Sequence, residues 1–131
     1  MSSIPSSLLA SLAKPYELNL EQIEFFQKNR FIKLKQVFDQ ETITYFNEAI
    51  GKRVALMNKE HTPLEQRSTY GKAFLQLFNL WREDEIVKEF VFSKRLAKIA
   101  SDLMQVNGVR IYHDQALFKE GGGGITPWHA D

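Results

Sequence analysis

The stretch "GVRIYHDQALFKEGGGGITPWHAD", residues 108–131, decides which fold the chain is expected to have. Side chains over 109–118 alternate as in a strand, and one face of that strand would carry apolar residues together with His113 and Gln115. Polar side chains among inward-facing residues need buried partners or a ligand. The stretch therefore predicts a strand with a binding face, followed by a glycine-rich loop and a second short extended segment.

The loop between these two segments contains four consecutive glycines, at positions 121–124. Glycine has no Cβ and takes positive φ readily, so we expect a compliant loop that lets "ITPWHAD" (125–131) turn back beside the strand. A nucleotide-binding loop is not indicated, because no Gly-Lys-Ser/Thr follows the glycines and no helix opens after them.

The last segment carries a possible metal motif, formed by His129 and Asp131. If the segment is extended, the two side chains lie on one face with their Cα atoms about 7 Å apart. An imidazole and a carboxylate at this spacing can bind one cation, and they form part of the 2-His-1-carboxylate triad that binds Fe(II). Zn²⁺ prefers four-coordinate sites of N and S ligands and Mg²⁺ prefers oxygen ligands, so the pair favours Fe(II).

Composition limits the classes of protein to which the chain can belong. It has 131 residues, 44% hydrophobic and 25% charged, which is typical of one soluble globular domain. The net charge of +1 indicates neither nucleic acid nor an acidic membrane as a partner, and the absence of cysteine excludes disulfides and zinc–thiolate sites. No apolar run is long enough to span a membrane, and the Ser-rich start lacks the features of a signal peptide. We therefore expect a cytoplasmic protein.

Three regions are expected along the chain. Residues 1–17 contain five Ser together with Pro5 and Pro15, which predicts a flexible N-terminal tail that docks through a few Leu side chains or does not dock at all. Residues 18–107 predict a helical support region with one short strand. Residues 108–131 predict strands that carry the metal motif.

Local signals place the helices of the middle region. Asn19, Asp39 and Ser93 can each begin a helix, because their side chains accept hydrogen bonds from N–H groups of the first turn. The segment "FIKLKQVF" (31–38) alternates apolar and basic residues, which predicts a short, half-exposed strand. The segment "FLQLFNLWREDEIVKEFVF" (74–92) predicts a helical or turn region.

Three segments of the chain resemble the phytanoyl-CoA dioxygenase family of Fe(II)/2-oxoglutarate-dependent oxygenases. They are "FLQLFNLW" (74–81), "FVFSKRLAKIASDLM" (90–104) and above all residues 108–131. The last is similar to the family's strand, Lys- and Gly-rich loop and Trp-His-X-Asp element, in order and spacing. The resemblance implies an α+β fold in which N-terminal helices pack on the first strands of a double-stranded β-helix. This cupin-like jelly-roll is expected to be incomplete in the chain.

The resemblance also implies an activity. Such enzymes bind Fe(II) and the cosubstrate 2-oxoglutarate, and they use O₂ to hydroxylate a small organic substrate with release of succinate and CO₂. His129 and Asp131 would be two of the iron ligands. The family's distal His and its cosubstrate-binding Arg would follow residue 131, so the full-length protein is expected to be a hydroxylase and this 131-residue chain alone is expected to be inactive.

Four residues are assigned to cofactor binding. Gln115 occupies a strand position that resembles one contacting 2-oxoglutarate, and its amide can donate to a carboxylate. Gln76 can line the same pocket or cap a turn, and Lys119 can attract an anionic ligand or be a solvated charge. Trp128 is expected to pack and so to orient the metal strand. His113 is expected to be buried or to support the iron ligands rather than to bind the metal.

Two other classes of function stay open. One is a catalytically inactive binding or interaction module that retains the helical half of the fold. The other is a small structural metal site that His129 and Asp131 form with a partner chain. A later His followed by an Arg would favour the oxygenase, whereas a natural stop after Asp131 would favour the inactive module. Among substrates, a small polar metabolite is favoured because the chain has no basic cluster for the phosphate of coenzyme A.

Overall fold

The structure, a computed structural model, describes residues 4–126 and 128. Within these residues the chain forms α-helices, two short 3₁₀ turns and one antiparallel pair of strands. The helices are α1 (Ser6–Ala13), α2 (Leu20–Asn29), α3 (Gln40–Met57), α4 (Thr69–Ala73), α5 (Glu85–Val91) and α6 (Lys94–Met104), and the strands are β1 (Leu75–Phe78) and β2 (Gln115–Phe118). The fold class is therefore α+β, as predicted.

The predicted helix starts are confirmed by their capping hydrogen bonds. The side chain of Asn19 accepts from the Gln22 N–H at 2.9 Å, and the Gln22 side chain accepts from the Asn19 N–H at 2.9 Å. Asp39 accepts from the N–H of Thr42 at 2.7 Å, and Ser93 Oγ accepts from the N–H of Leu96 at 3.3 Å. These bonds satisfy backbone donors that a helix start would otherwise leave without partners.

Helix α1 lies within the region that the sequence predicts to be a flexible tail, residues 1–17. Leu8 and Leu12 are buried and form a core cluster with Phe46 of α3. Residues four apart lie on one face of a helix, so these two Leu side chains give α1 an apolar stripe. Of the two alternatives predicted for the tail, the structure shows the docked one: the segment 6–13 is helical and packs through two Leu side chains despite the high Ser content around them.

Helix α3 connects this first cluster to a second one. Phe46 belongs to the first cluster, and Val54, two turns later on α3, packs with Leu80 and Val87 in the second. None of the helices in the described part of the chain is long and apolar enough to cross a membrane. Helix α3 thus contributes apolar side chains to both core clusters.

The segment 31–38 has the burial of a strand without the hydrogen bonds of one. Ile32 and Leu34 are half-buried whereas Lys33 and Lys35 are exposed, as the alternation predicts, but the backbone is irregular. Its carbonyl groups accept from side chains instead of a neighbouring strand: Lys35 O accepts from Tyr16 Oη at 2.9 Å, and Val37 O accepts from Arg95. The predicted strand is therefore wrong, since alternation does not supply a strand partner.

The predicted strand over 109–118 is shortened to β2, and its partner β1 lies in the region 74–92 that was expected to be helix or turn. The last ladder contact joins the N–H of Asn79 to the C=O of Asp114 at 3.0 Å. Asn79 has a φ of 59°, which turns the chain away into the 3₁₀ turn Leu80–Arg82. The end of β1 at Phe78 lies opposite Gln115, so β1 offers no strand partner to residues 109–113.

Candidate functional site

The strand pair presents one face to the helices and the other face away from them. In the register, Leu75 lies opposite Phe118, Gln76 opposite Leu117, Leu77 opposite Ala116 and Phe78 opposite Gln115. Leu75, Leu77 and Ala116 pack against the second core cluster. Because side chains alternate along a strand, the remaining residues face outward. We call this surface the outer face; its residues are Phe74, Gln76, Phe78, Gln115, Leu117 and Lys119.

Two of the residues assigned to cofactor binding touch each other on the outer face. Gln115 Nε2 donates to Gln76 Oε1 at 3.3 Å, across a diagonal of the strand pair. The bond uses one of the two N–H groups of Gln115. Within the described residues, the side-chain N–H groups of Gln76 have no acceptor. The pair therefore offers amide donors to a ligand that approaches the outer face.

A third residue assigned to cofactor binding, Lys119, lies at the end of the same face. Its Nζ is 4.8 Å from the centroid of the Phe74 ring and 3.3 Å from Thr126 Oγ1. An ammonium group above an aromatic ring is attracted by the electron-rich face of the ring. Lys119 is exposed, and these two contacts hold its charge beside Phe74, at the end of the outer face.

A cavity of about 460 Å³ borders the strand pair beside β1. Gln76 and Phe74 of the outer face contribute to its wall, and the other lining side chains with hydrogen-bonding groups are Asn58, Lys59, Glu60, Arg67 and Tyr70. Its volume lies in the usual range for sites that bind small molecules. Gln115 and Lys119 do not line it, so the cavity and the outer face meet at Phe74 and Gln76.

The glycine-rich loop is a packed turn. The N–H of Gly123 donates to the C=O of Glu120 at 3.0 Å, and Gly122 has a φ of 77°, the backbone that the third position of a type II turn requires. The N–H of Gly124 then donates to the C=O of Lys72 at 2.8 Å. A Cβ on Gly123 would lie 2.6 Å from that carbonyl oxygen. The expectation of a compliant loop is therefore corrected, because at least two glycines are needed for this fit.

An ion pair that the sequence does not reveal holds the start of this turn. The guanidinium of Arg67 donates to the carboxylate of Glu120, and Arg67 Nε donates to the C=O of Thr62 at 2.8 Å. Arg67 is largely buried. The polar segment around Arg67 gives no signal of a partner so far along the chain, which explains why sequence reasoning missed the contact.

The two predicted iron ligands, His129 and Asp131, lie outside the described residues. Trp128 is described, and its indole is fully exposed at 103%, so the packing role predicted for Trp128 is not seen. His113 is also exposed, contrary to expectation, and its ring contacts the rings of Phe78 at 5.4 Å and Tyr112 at 4.8 Å. Over residues 4–126 and 128, no three His, Asp or Glu side chains are grouped closely enough to hold a metal ion.

Two buried polar atoms flank the strand pair without a hydrogen-bond partner among the described residues. They are Oδ1 of Asp114, directly before β2, and Nε1 of Trp81, shortly after β1. Buried polar atoms normally have a partner, which can be an ordered water or a ligand. Sequence reasoning missed Asp114 because it assigned binding to the strand face of His113 and Gln115.

Comparison with known proteins adds no relative to this picture. No family model, no curated protein and no solved structure matches the chain.

Proposed function

We propose that the chain is the N-terminal part of a non-haem Fe(II)/2-oxoglutarate-dependent dioxygenase that hydroxylates a small organic substrate. The supporting observation is that Gln76, Gln115 and Lys119 lie on one face of the strand pair. Each was assigned to cofactor binding from sequence, and β1 and β2 are separated by two helices along the chain. This grouping supports the proposal, because amide and ammonium groups can donate hydrogen bonds to the carboxylates of a cosubstrate.

These side chains have the chemistry to bind 2-oxoglutarate. The amides of Gln76 and Gln115 supply N–H donors, and Lys119 supplies a positive charge for a carboxylate. Phe78 and Leu117, beside them, give an apolar wall that helps to exclude water from a bound ligand. In this proposal His129 and Asp131 hold the iron, and their mixed N and O donors suit Fe(II). When bound, the iron would supply the activation of O₂.

The proposal also gives the outer face a place in a larger fold. Phe78 and Leu117 are 47% and 49% exposed, so a row of apolar side chains lies open beside the glutamines. Apolar surface of this kind is typical of a face that another layer covers. We propose that the outer face is part of the interior of a jelly-roll barrel in a cytoplasmic enzyme.

Fe(II) binding to the 131-residue protein tests the metal site directly. We expect anaerobic addition of Fe(II) and 2-oxoglutarate to broaden the side-chain amide NMR signals of Gln76 and Gln115. His129→Ala should abolish this broadening, whereas His61→Ala, in the polar segment after α3, should leave it unchanged. Equal broadening in the two variants would contradict the proposed metal site.

The activity is tested with the full-length product that carries these residues. We expect 2-oxoglutarate turnover to release succinate, and Gln115→Leu to raise the KM for 2-oxoglutarate about tenfold, since a hydrogen bond to a charged group is lost. Gln66→Leu, in the 3₁₀ turn Leu64–Gln66, is the matched control and should leave KM unchanged. If the Gln115→Leu variant turns over 2-oxoglutarate with an unchanged KM, Gln115 does not bind the cosubstrate.

A catalytically inactive binding module is the second candidate. The exposure of Tyr112, at 94%, together with that of Trp128 favours it, because exposed aromatic residues are common where proteins bind partners. Failure of Fe(II) to affect the Gln76 and Gln115 signals in a folded protein would favour this module. A change to a larger oligomer on addition of metal would instead indicate a structural metal site shared with a partner chain.

A further inference from the structure

A second cavity, of about 710 Å³, is formed by α1, the segment before α3 and the start of α6. It shares no residue with the outer face or with the cavity beside β1. Its lining is rich in groups that donate hydrogen bonds; the residues with polar side chains are Ser7, Ser11, Lys14, Gln36, Asp39, Gln40 and Arg95. Arg95 lies in one segment that resembles the oxygenase family, 90–104, but none of these residues lies in 108–131 or was assigned to iron or cosubstrate binding. The cavity is therefore separate from the proposed oxygenase site.

Arg95 is the most unusual residue of this cavity, because it is charged and only 8% exposed. Its Nε donates to the C=O of Lys14 at 2.5 Å, and its Nη1 donates to the C=O of Val37 at 2.5 Å. The Phe38 ring covers one side of the guanidinium, 5.3 Å from its central carbon. A guanidinium has five N–H groups, so three N–H groups remain, including both on Nη2. Those on Nη2 have no acceptor within the described part of the chain.

The charge of Arg95 also lacks a counter-ion. Across residues 4–126 and 128, the ion pairs of the structure involve other cations, and no Asp or Glu is paired with Arg95. Arg is rarely buried without a paired anion, because removing its charge from water is costly. Two backbone carbonyls offset only part of that cost, so an anion that enters the cavity would be stabilised.

The rest of the lining adds to this positive character. Lys14 supplies a second cation, and the hydroxyl group of Ser7 can donate a hydrogen bond. The one acidic residue, Asp39, is engaged at the start of α3, where it accepts from the Thr42 N–H at 2.7 Å and from Ser11 Oγ at 3.4 Å. Two cations therefore face one carboxylate that already has partners.

We propose that this cavity binds a small, soluble, phosphate-bearing anion, with Arg95 and Lys14 as its charged partners. A phosphate group has several acceptor oxygens, which suits a guanidinium that still has three N–H groups and an ammonium with three. The buried position of Arg95 favours a free metabolite over a lipid headgroup, because the ligand must enter the cavity to reach Nη2. Arg95 would otherwise serve only to join α1 and the segment 36–38 to α6.

An NMR titration of the whole 131-residue protein with inorganic phosphate separates these two roles. We expect the Arg95 Nε–H signal and the backbone amides of Ser11 and Gln36 to shift and saturate. Sodium chloride at matched ionic strength should not reproduce the shifts. Lys14→Gln keeps the C=O that Arg95 uses and should weaken phosphate binding about tenfold, as expected for the loss of one charged hydrogen bond. Lys28→Gln, on α2, is the matched control and should bind as the unmodified protein does.

Three results would overturn the proposal: no saturable shift of the Arg95 signal, the same shifts with chloride, or equal affinity of the Lys14→Gln and Lys28→Gln variants for phosphate. Glycerol 3-phosphate and vesicles containing phosphatidic acid identify the source of the phosphate group. We expect glycerol 3-phosphate to compete with inorganic phosphate at the Arg95 signal and the vesicles not to compete. Competition by the vesicles alone would contradict a soluble ligand.

Discussion

The helical part of the chain and its last described segment are held together in different ways. Every residue that the structure describes as buried lies between Leu8 and Leu103. From 104 to 126, and at 128, each described residue is half-buried or exposed. The later segment is instead held by specific contacts: the ladder with β1, the turn at Gly123, the Arg67–Glu120 ion pair and the contact of Lys119 with Phe74.

This difference indicates that the helical part supplies most of the stability, whereas the later segment carries groups that can bind a ligand. Burial of apolar side chains supplies most of the free energy of folding, so the helical part should determine global stability. Segments with few buried contacts open locally at a lower free energy, and binding groups are often found in them. The outer face, with Gln115 and Lys119 on β2 and just after it, therefore lies on the less stable side of the molecule.

Two Phe→Ala substitutions give the largest expected contrast between these regions. Phe46 is 1% exposed and packs against Tyr45 and Phe90, with ring centroids 5.2 and 5.1 Å away. Phe46→Ala should lower the free energy of unfolding by about 3–5 kcal/mol, because it removes buried contacts and leaves a cavity. Phe78→Ala, on the outer face, should cost about 1 kcal/mol. Urea unfolding measures both, and equal losses would show that the helices do not dominate stability.

The start of α5 provides a smaller effect within the helical part. Asp84 accepts from the N–H groups of Ile86 at 2.9 Å and Val87 at 3.1 Å, and it pairs with Arg53 at 3.1 Å. Asp84→Ala should therefore lower the free energy of unfolding by about 1–2 kcal/mol. Glu85→Ala on the same turn should change it by less than about 0.5 kcal/mol, since the ion pair of Glu85 with Lys88 is exposed. A larger loss for Glu85→Ala would exclude capping as the cause.

The contacts of Asp84 should also make the stability of the protein depend on pH in the acid range. Burial by itself raises the pKa of Asp84, but the N–H of Val87 and the guanidinium of Arg53 outweigh it and leave the pKa below its ordinary value. The contribution of Asp84 is therefore complete above the ordinary pKa of Asp, about 4, and is lost as the pH falls through the lowered pKa. Asp84→Asn keeps the cap but not the charge, so its stability should fall less steeply below about pH 4. Parallel curves from chemical unfolding at each pH would contradict this.

Local patterns predict the parts of the fold whose causes are local. The capping signals at Asn19, Asp39 and Ser93 are formed within one turn of the chain, and the helices begin there in the structure. The alternation around Gln115 and Leu117 likewise places both on one face, as predicted. A pattern that is complete within a few residues needs no knowledge of the rest of the chain.

Contacts between distant residues could not be predicted in this way. Gln76 joins Gln115 only because β1 pairs with β2, and the apolar run around Gln76 is compatible with helix, turn or strand. The burial of Arg95 likewise depends on carbonyl groups at Lys14 and Val37, which no sequence pattern connects to it. The sequence thus suggests residues that could bind a ligand, but it does not predict how the fold brings Gln76 and Gln115 together.

The glycine turn allows the most local test of the difference between the two regions. A Cβ on Gly123 would lie 2.6 Å from the C=O of Lys72 and 2.9 Å from that of Glu120, whereas a Cβ on Gly121 would meet nothing within 4 Å. Gly123→Ala should therefore break the bond from the Gly124 N–H to Lys72. Exchange of the Gly124 amide hydrogen should become about tenfold faster, with little change in global stability, because the opening is local.

Gly121→Ala is the matched control, since it makes the same chemical change in the same turn without the close approach. Its Gly124 amide should exchange as slowly as that of the unmodified protein. Equal acceleration in both variants would show that the turn depends on chain flexibility rather than on packing against Lys72. A large loss of global stability in Gly123→Ala would show that this segment is part of the main cooperative unit, and the two regions would then not differ in the way that their burial indicates.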